Sequence, residues 1–183
     1  MQRRSLLLAP LLAMSCARQA ELPDLGGIPP FEFIDEQAKT FSSERLQGKV
    51  WVADFFFTNC PGPCPRMANQ LKQVQKETAH LAKLHLVSIT VDPDRDTAAT
   101  LASYARRFEA NPERWSFLTG RKDLIRNLMS ESFYLGYAES MQEHSTRFVL
   151  IDAKMRIRGF YDSLAKDSIE KLIEDIRLLH DRT

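Results

Sequence analysis

The sequence predicts an α/β fold in a single domain, with a central mixed sheet and helices on both faces. Three observations carry that reading. Residues 50–57 and 84–91 are nearly unbroken apolar, β-favouring runs of the kind found in strands buried on both sides. Segments with apolar residues at helical spacing alternate with such runs along the chain. The length of 183 residues, with 44% hydrophobic and 27% charged residues, suits one globular domain and excludes a disordered, collagenous or coiled-coil chain.

The elements follow in order. Residues 31–35 alternate in part and read as a short strand, and 46–49 as a turn. The run at 50–57 is a central strand, broken by Thr58-Asn59. Pro61, Pro63 and Pro65 then mark the start of a helix, where proline is accepted. Its apolar face is Met67, Leu71 and Val74, and it runs to about Glu77. A second buried strand spans 84–91. The loop 92–97 leads into a helix, with Asp96 or Thr97 as N-cap. That helix carries the stripe Leu101, Tyr104, Ala105 and Phe108 and stops at Asn111-Pro112. Residues 115–118 form a strand and 121–129 a helix, whereas 130–141 show no period. Strands at 148–152 and 157–161 join through a turn at Ala153-Lys154, and 168–180 form the last helix. The order is β, β, α, β, α, β, α, β, β, α, with right-handed crossovers.

Charge narrows the function. Lys and Arg number 25 against 24 Asp and Glu, a net charge of +1. No basic excess is available to neutralise phosphates, so nucleic acid is excluded as a partner.

The first fifteen residues have a different character. Arg3 and Arg4 precede an apolar stretch from Leu6 to Leu12 that is too short to span a membrane, and small residues follow up to Ser15-Cys16. This is a secretory leader. Leu12-Ala13-Met14-Ser15-Cys16 looks like a bacterial lipobox, with Ala13 where leucine is usual, and it makes Cys16 the lipidated N-terminus of the mature chain. An ordinary leader cleaved nearby, or a retained one, is the alternative. Residues 1–15 are thus read as a lipoprotein-type signal peptide, 16–30 as a Pro- and Gly-containing tether, and 31–183 as the domain. The expected location is outside the cytoplasm, anchored by lipid on the periplasmic face of the inner membrane. Losing Arg3 and Arg4 with the leader turns the formal charge from +1 to −1.

With Cys16 committed to lipid, Cys60 and Cys64 remain, in Cys-Pro-Gly-Pro-Cys. A bridge closing so short a loop constrains the unfolded chain little, and a core of this size needs no staple. Chemistry at sulfur, redox or metal, is the stronger reading. The pair sits where a buried strand meets a helix, which is the thioredoxin-like arrangement. On a helix, positions i and i+4 share a face, so both sulfurs are expected at one helix N-terminus, where the dipole favours thiolates. Thioredoxin-type oxidoreductases use Cys-x-x-Cys; the wider Cys-x-x-x-Cys suits a metal bridge as well as a direct bond.

A second constellation is Glu143-His144-Ser145-Thr146-Arg147, ahead of the strand at 148. Thioredoxin-like oxidoreductases carry a cis-proline in this loop, yet no proline occurs after Pro112. His144 stands there instead. Two thiolates and an imidazole make an S₂N set that suits Cu(I) or Cu(II); zinc would want a fourth ligand. Asp92 and Asp96 are candidates to tune the site from a neighbouring loop, or else serve turn and cap roles. Met67 and Met141 are soft donors, though methionine more often fills packing gaps. His80, His85 and His180 have no partner at metal spacing and read as structural or solvent-facing.

Phe57-Thr58-Asn59-Cys60-Pro61-Gly62-Pro63-Cys64-Pro65, Thr90-Val91-Asp92-Pro93-Asp94-Arg95-Asp96-Thr97 and His144-Ser145-Thr146 together resemble the Sco family, called SenC in many bacteria. The motifs occur in the family's order and cover the chain from about residue 30 to its end. The resemblance implies a thioredoxin fold and a copper site made by Cys60, Cys64 and His144. It further implies a metallochaperone that serves the binuclear copper centre of cytochrome c oxidase, or another copper enzyme. Thiol reduction of the apo acceptor by the same cysteines is a second implied role, and which dominates is left open. Many family members have a transmembrane helix where this chain carries a lipidation motif. The competing reading from another class is an exported thiol:disulfide oxidoreductase with no metal role. A peroxiredoxin-like peroxidase fits worse, because its Pro-x-x-x-Thr-x-x-Cys pattern is absent: Thr58 is two before Cys60, and no proline lies between Pro30 and Pro61.

Overall fold

The structure is a computed structural model that describes residues 21–136 and 145–183. Among these, seven strands form one mixed sheet: β1 (Glu32–Asp35), β2 (Thr40–Ser42), β3 (Val50–Phe56), β4 (Leu84–Thr90), β5 (Trp115–Thr119), β6 (Arg147–Ile151) and β7 (Ile157–Asp162). Their spatial order is β2-β1-β5-β4-β3-β6-β7. β3, β4 and β5 run parallel; β6 is antiparallel to β3, β7 to β6, β1 to β5 and β2 to β1. The helices are α1 (Cys64–Glu77), α2 (Ala98–Arg107), α3 (Lys122–Asn127) and α4 (Ser168–His180). This is the thioredoxin-like arrangement expected from the sequence.

Side-chain alternation along β3 explains how both faces are filled. Trp51 and Phe55 point to one side, where Phe133 meets them edge-on with ring centroids at 6.1 and 5.2 Å. Phe56 points to the other and packs on Tyr104 of α2 at 5.1 Å. Right-handed crossovers put α1 and α2 on that second face, and a 2.7 Å ion pair joins Lys72 in the middle of α1 to Glu109 just past the end of α2. α4 packs against α1. Each buried aromatic contributes roughly 1.5–3 kcal/mol through removal from water.

Three features depart from the sequence reading. β2 was not foreseen, because three residues with one buried side chain, Phe41, are too few to show alternation. The helix expected over 121–129 is α3 followed by a π-helical turn, Leu128–Ser132. The wider turn allows Leu128, Met129 and then Phe133 all to be buried. Part of the stretch read as tether is bonded to the sheet: Leu25 N–H donates to Ile157 O, Ile157 N–H to Gly26 O and Ile28 N–H to Met155 O. Asp24 also pairs with Arg156 at 2.8 Å.

One polar chain runs through the core. Trp115 Nε1–H donates to Ser88 Oγ at 2.9 Å, and Ser88 O–H donates to the Asp54 carboxyl. Asp54 is 3% exposed. Burial pushes its carboxyl up from 3.8 to about 7, against the smaller opposing pull of the Ser88 hydrogen bond. A carboxyl raised by folding is protonated in the fold while already ionised in the unfolded chain. The stability this contributes is complete below pH 4 and is lost as pH rises through about 7. Denaturant unfolding is therefore expected to give a free energy that falls between pH 4 and 8 by ~1.4 kcal/mol per unit at the steepest. Asp54→Asn, which keeps an acceptor for Ser88, should flatten that fall; an equal fall in both proteins would refute the assignment.

Candidate functional site

The carboxyl ends of the parallel strands form one rim of the sheet, where open α/β sheets place ligands. β3 ends at Phe56 and the chain turns at Thr58-Asn59 to reach Cys60. Residues 61–63 bend back, and α1 begins at Cys64 with Pro63 as its N-cap residue. The sequence reading placed both cysteines on one helical face. The structure corrects this: Cys60 precedes the helix, and only Cys64 is helical. The sulfurs come together through the proline-glycine bend, since the Cys60 side chain is hydrogen-bonded to that of Cys64. Neither forms a disulfide, and they are 8% and 1% exposed respectively.

The expectation of dipole-stabilised thiolates is also corrected for Cys64. Burial is the largest influence and pushes its thiol far above the ordinary value. The hydrogen bond with Cys60 and the charges of Cys60 and Asp54 push the same way, and a hydrogen bond from the Phe57 backbone opposes them. A helix dipole is worth about 0.3–1 kcal/mol, whereas full burial moves a thiol by several pK units, so burial wins.

Asp96 ties the cysteine turn to its neighbour. It is 1% exposed. It accepts from the Thr58 backbone N–H at 3.0 Å, from the Thr58 hydroxyl, and from the Thr90 hydroxyl at the end of β4. Thr90 Oγ1 in turn accepts from Asp92 N–H at 3.0 Å. Asp92 is buried and pairs with Arg95 at 2.8 Å. Asp96 is thus engaged with the turn two residues before Cys60, and the N-cap of α2 is Thr97, whose side chain accepts from Thr100 N–H. Asp92 supports the same loop through Arg95.

The other candidates separate clearly. Met67 is fully buried in the apolar face of α1, a packing role. His85 is buried, shares a 3.0 Å hydrogen bond with Ser116 Oγ, and is pushed down to about 3, first by burial and then by the charges of Lys49, Arg45 and Arg114. It stays neutral. His80 is exposed and His180 closes α4. Cys16, Met141 and His144 lie outside the described residues. β6 starts on the same rim as Cys60, because Val149 pairs with Ala53 in antiparallel register. Thr146 O accepts from Ser163 N–H, fastening the start of β6 to the end of β7. Among the described residues, no group of three His, Cys, Asp or Glu is arranged to hold a metal.

In the sequence, Thr58 and Thr90 stand out only as parts of motifs and Tyr104 only as part of a helical stripe, while Asp54 and Ser88 have no role of their own. Asp54 carried a signal, as the one acid inside an apolar run buried on both sides. The others look like ordinary strand, turn or helix residues. Asp96→Asn puts an amide where two hydroxyls and an N–H need an acceptor, at a cost of about 1–3 kcal/mol. The expected outcome is a lower denaturation midpoint together with faster alkylation of Cys60 by iodoacetamide. An unchanged alkylation rate would show that the turn holds its shape without this carboxylate.

Comparison with known proteins matches this geometry to a family. The SCO1/SenC family model matches residues 19–180. The crystal structure of a SCO1/SenC family lipoprotein from Bacillus anthracis str. Ames is similar at 31% identity and a TM-score of 0.80, covering 87% of this chain and 99% of that one. BsSco, described as having a disulfide switch and as a member of the Sco family of cytochrome c oxidase assembly proteins, matches at 26% identity and a TM-score of 0.80, covering 90% and 100%. Arabidopsis thaliana ScoI with copper bound matches at 27% identity and a TM-score of 0.70, covering 83% and 98%. With the family model running from the approach to β1 through α4, this chain belongs to the SCO1/SenC family.

Proposed function

We propose that this chain is a lipid-anchored, exported copper carrier that delivers its cargo to cytochrome c oxidase or a related copper enzyme, with Cys60, Cys64 and His144 as its ligands. The observation that carries the reading is the pair of hydrogen-bonded thiols at the junction of β3 and α1. Isolated thiolate charge is disfavoured at Cys64, and three states of the pair avoid it: two thiols, one disulfide, or thiolates neutralised by a cation. A soft cation such as Cu(I) is the natural cargo for two sulfurs, and the imidazole also accommodates Cu(II). Loading exchanges protons for metal, and unloading by ligand exchange returns them. Support comes from the copper-bound Arabidopsis relative and from the oxidase-assembly description of BsSco.

A second role fits the same pair. Two adjacent thiols can reduce an acceptor disulfide: one sulfur attacks it, the second displaces the acceptor thiol, and the carrier is left as a disulfide while two electrons and two protons pass to the acceptor. The disulfide switch described for BsSco supports this. The oxidoreductase-only reading differs in giving His144 no part.

Residues 17–183, reduced and titrated anaerobically with Cu(I) and Cu(II), should bind one copper per chain. Cys60→Ser, Cys64→Ser and His144→Ala should each weaken binding by ~10²-fold or more, since each removes a direct ligand, where loss of a supporting group alone costs 10–100-fold. No binding, with disulfide exchange intact, would leave the oxidoreductase reading.

The anchor rests on Cys16 and on the lipoprotein from Bacillus anthracis; among the described residues no helix is long and apolar enough to cross a membrane. In cells, Cys16→Ser should move the protein from the membrane fraction to the soluble periplasmic fraction. Retention in the membrane would sink the lipidation assignment.

A further inference from the structure

The N-terminal stretch that reads as a tether is fastened to one end of the sheet. Leu25 N–H donates to Ile157 O at 2.9 Å, and Ile28 N–H to Met155 O at 2.8 Å. Asp24 pairs with Arg156 at 2.8 Å, and the Arg158 guanidinium donates to Leu22 O. Glu21, the first described residue, shares a recess with Lys154, Arg182 and Thr183. These contacts gather where β7 starts and α4 has just ended.

That end lies opposite the cysteine rim. Ile151, just before the β6–β7 turn, pairs with Trp51 near the start of β3. Gly48 N–H donates to Ala153 O, and Val50 N–H to Lys83 O just ahead of β4. Cys60 instead follows the far end of β3. The seven residues of β3, at ~3.3 Å each, set the two ends about 23 Å apart.

The chain between the lipidation motif and the fastened end is short. From Cys16 to Leu22 it takes six steps of at most ~3.6 Å, about 20 Å when fully drawn out. A domain of this size has a radius of gyration of about 15 Å and is about 40 Å across. A lipid on Cys16 therefore brings the β6–β7 turn to the bilayer and leaves the rim on the far side. Among the described residues, the exposed charges at this end are mixed: Lys83, Lys154 and Arg182 are matched by Glu21 and Asp181. Anionic headgroups gain little from such a surface, so the length of the tether sets the orientation.

We infer that the β6–β7 turn and the C-terminal end of α4 form the membrane-facing surface of the anchored protein, seated on the lipid headgroups, with the rim of Cys60 and Cys64 held out toward water. This rests on the proposed lipidation of Cys16. It adds that an acceptor meets the cysteines clear of the bilayer surface.

Native lysines report the orientation. Lys83 and Lys154 lie at the fastened end. Lys122 follows β5 on the rim side, paired with Asp94 at 2.8 Å, and Lys166 follows β7 on that side. The mature chain, purified from membranes and bound to vesicles of phosphatidylethanolamine and phosphatidylglycerol, is acetylated at lysine and read site by site by mass spectrometry. A variant with about twelve Gly and Ser residues inserted between Ala20 and Glu21 gains roughly 20 Å of flexible reach and keeps every contact described above. Lys83 and Lys154 should react about threefold more slowly in the wild type than in this variant, with Lys122 and Lys166 reacting alike in both. Equal rates at Lys83 and Lys154 in the two proteins would overturn the inference, as would equal slowing at all four lysines. An intact mass without lipid on Cys16 would defeat the anchor reading, and this orientation with it; a lipidated chain with unslowed lysines would defeat the orientation alone.

Discussion

Water is excluded from the space beneath the junction of β3 and α1, and that exclusion governs how every ionisable group there behaves. Asp54, Cys64 and Tyr104 all have their neutral forms favoured, and burial is the leading cause in each case. The aromatic packing that dries the space is also what holds the sheet together. Phe56, Tyr104, Phe108 and Phe117 form one cluster on this face. Core and site are therefore the same piece of structure. A change that admitted water would relax all three groups toward their ordinary behaviour at once.

In such surroundings two sulfurs have few acceptable states, and each has little net charge on sulfur. This is a useful property for the proposed carrier role. A site that stabilised bare thiolates would hold any soft cation tightly and part with it slowly. A site that penalises them releases its cargo when an acceptor offers better ligands and protons return to sulfur. The same penalty makes a disulfide an accessible resting state, so the two proposed roles, metal handling and thiol chemistry, are alternatives for one pair of atoms.

Positioning of the cysteine turn falls to groups outside the pair. The Asp96 carboxylate gathers three donors from two loops and so links the turn before Cys60 to the end of β4. Arg95 covers the adjacent Asp92. Around the rim, Gln70 of α1 donates to Ser163 O at 2.9 Å, and Ser163 N–H donates to Thr146 O. α1, which begins at Cys64, is thus joined to the chain entering β6.

Local sequence pattern is enough for the fold class, the cysteine pair and, among the described residues, six of the seven strands and the four helices. It suffices because strand and helix periods are local properties of consecutive residues, and a Cys-x-x-x-Cys between an apolar run and a helix is a local pattern. The mixed sheet and the family were legible for the same reason, in the alternation of elements and in three ordered motifs. Tertiary structure alone decided the rest. β2 is defined by pairing with β1, since three residues have no period of their own. Cys60 meets Cys64 through a bend that backbone geometry sets, outside the helix that spacing implied. Asp96 serves Thr58, 38 residues earlier, and Asp54 serves Ser88, 34 residues later. Whether a thiol at a helix start becomes an anion depends on how much water reaches it. That is settled by side chains from elements far apart in sequence, which come together only in the folded chain.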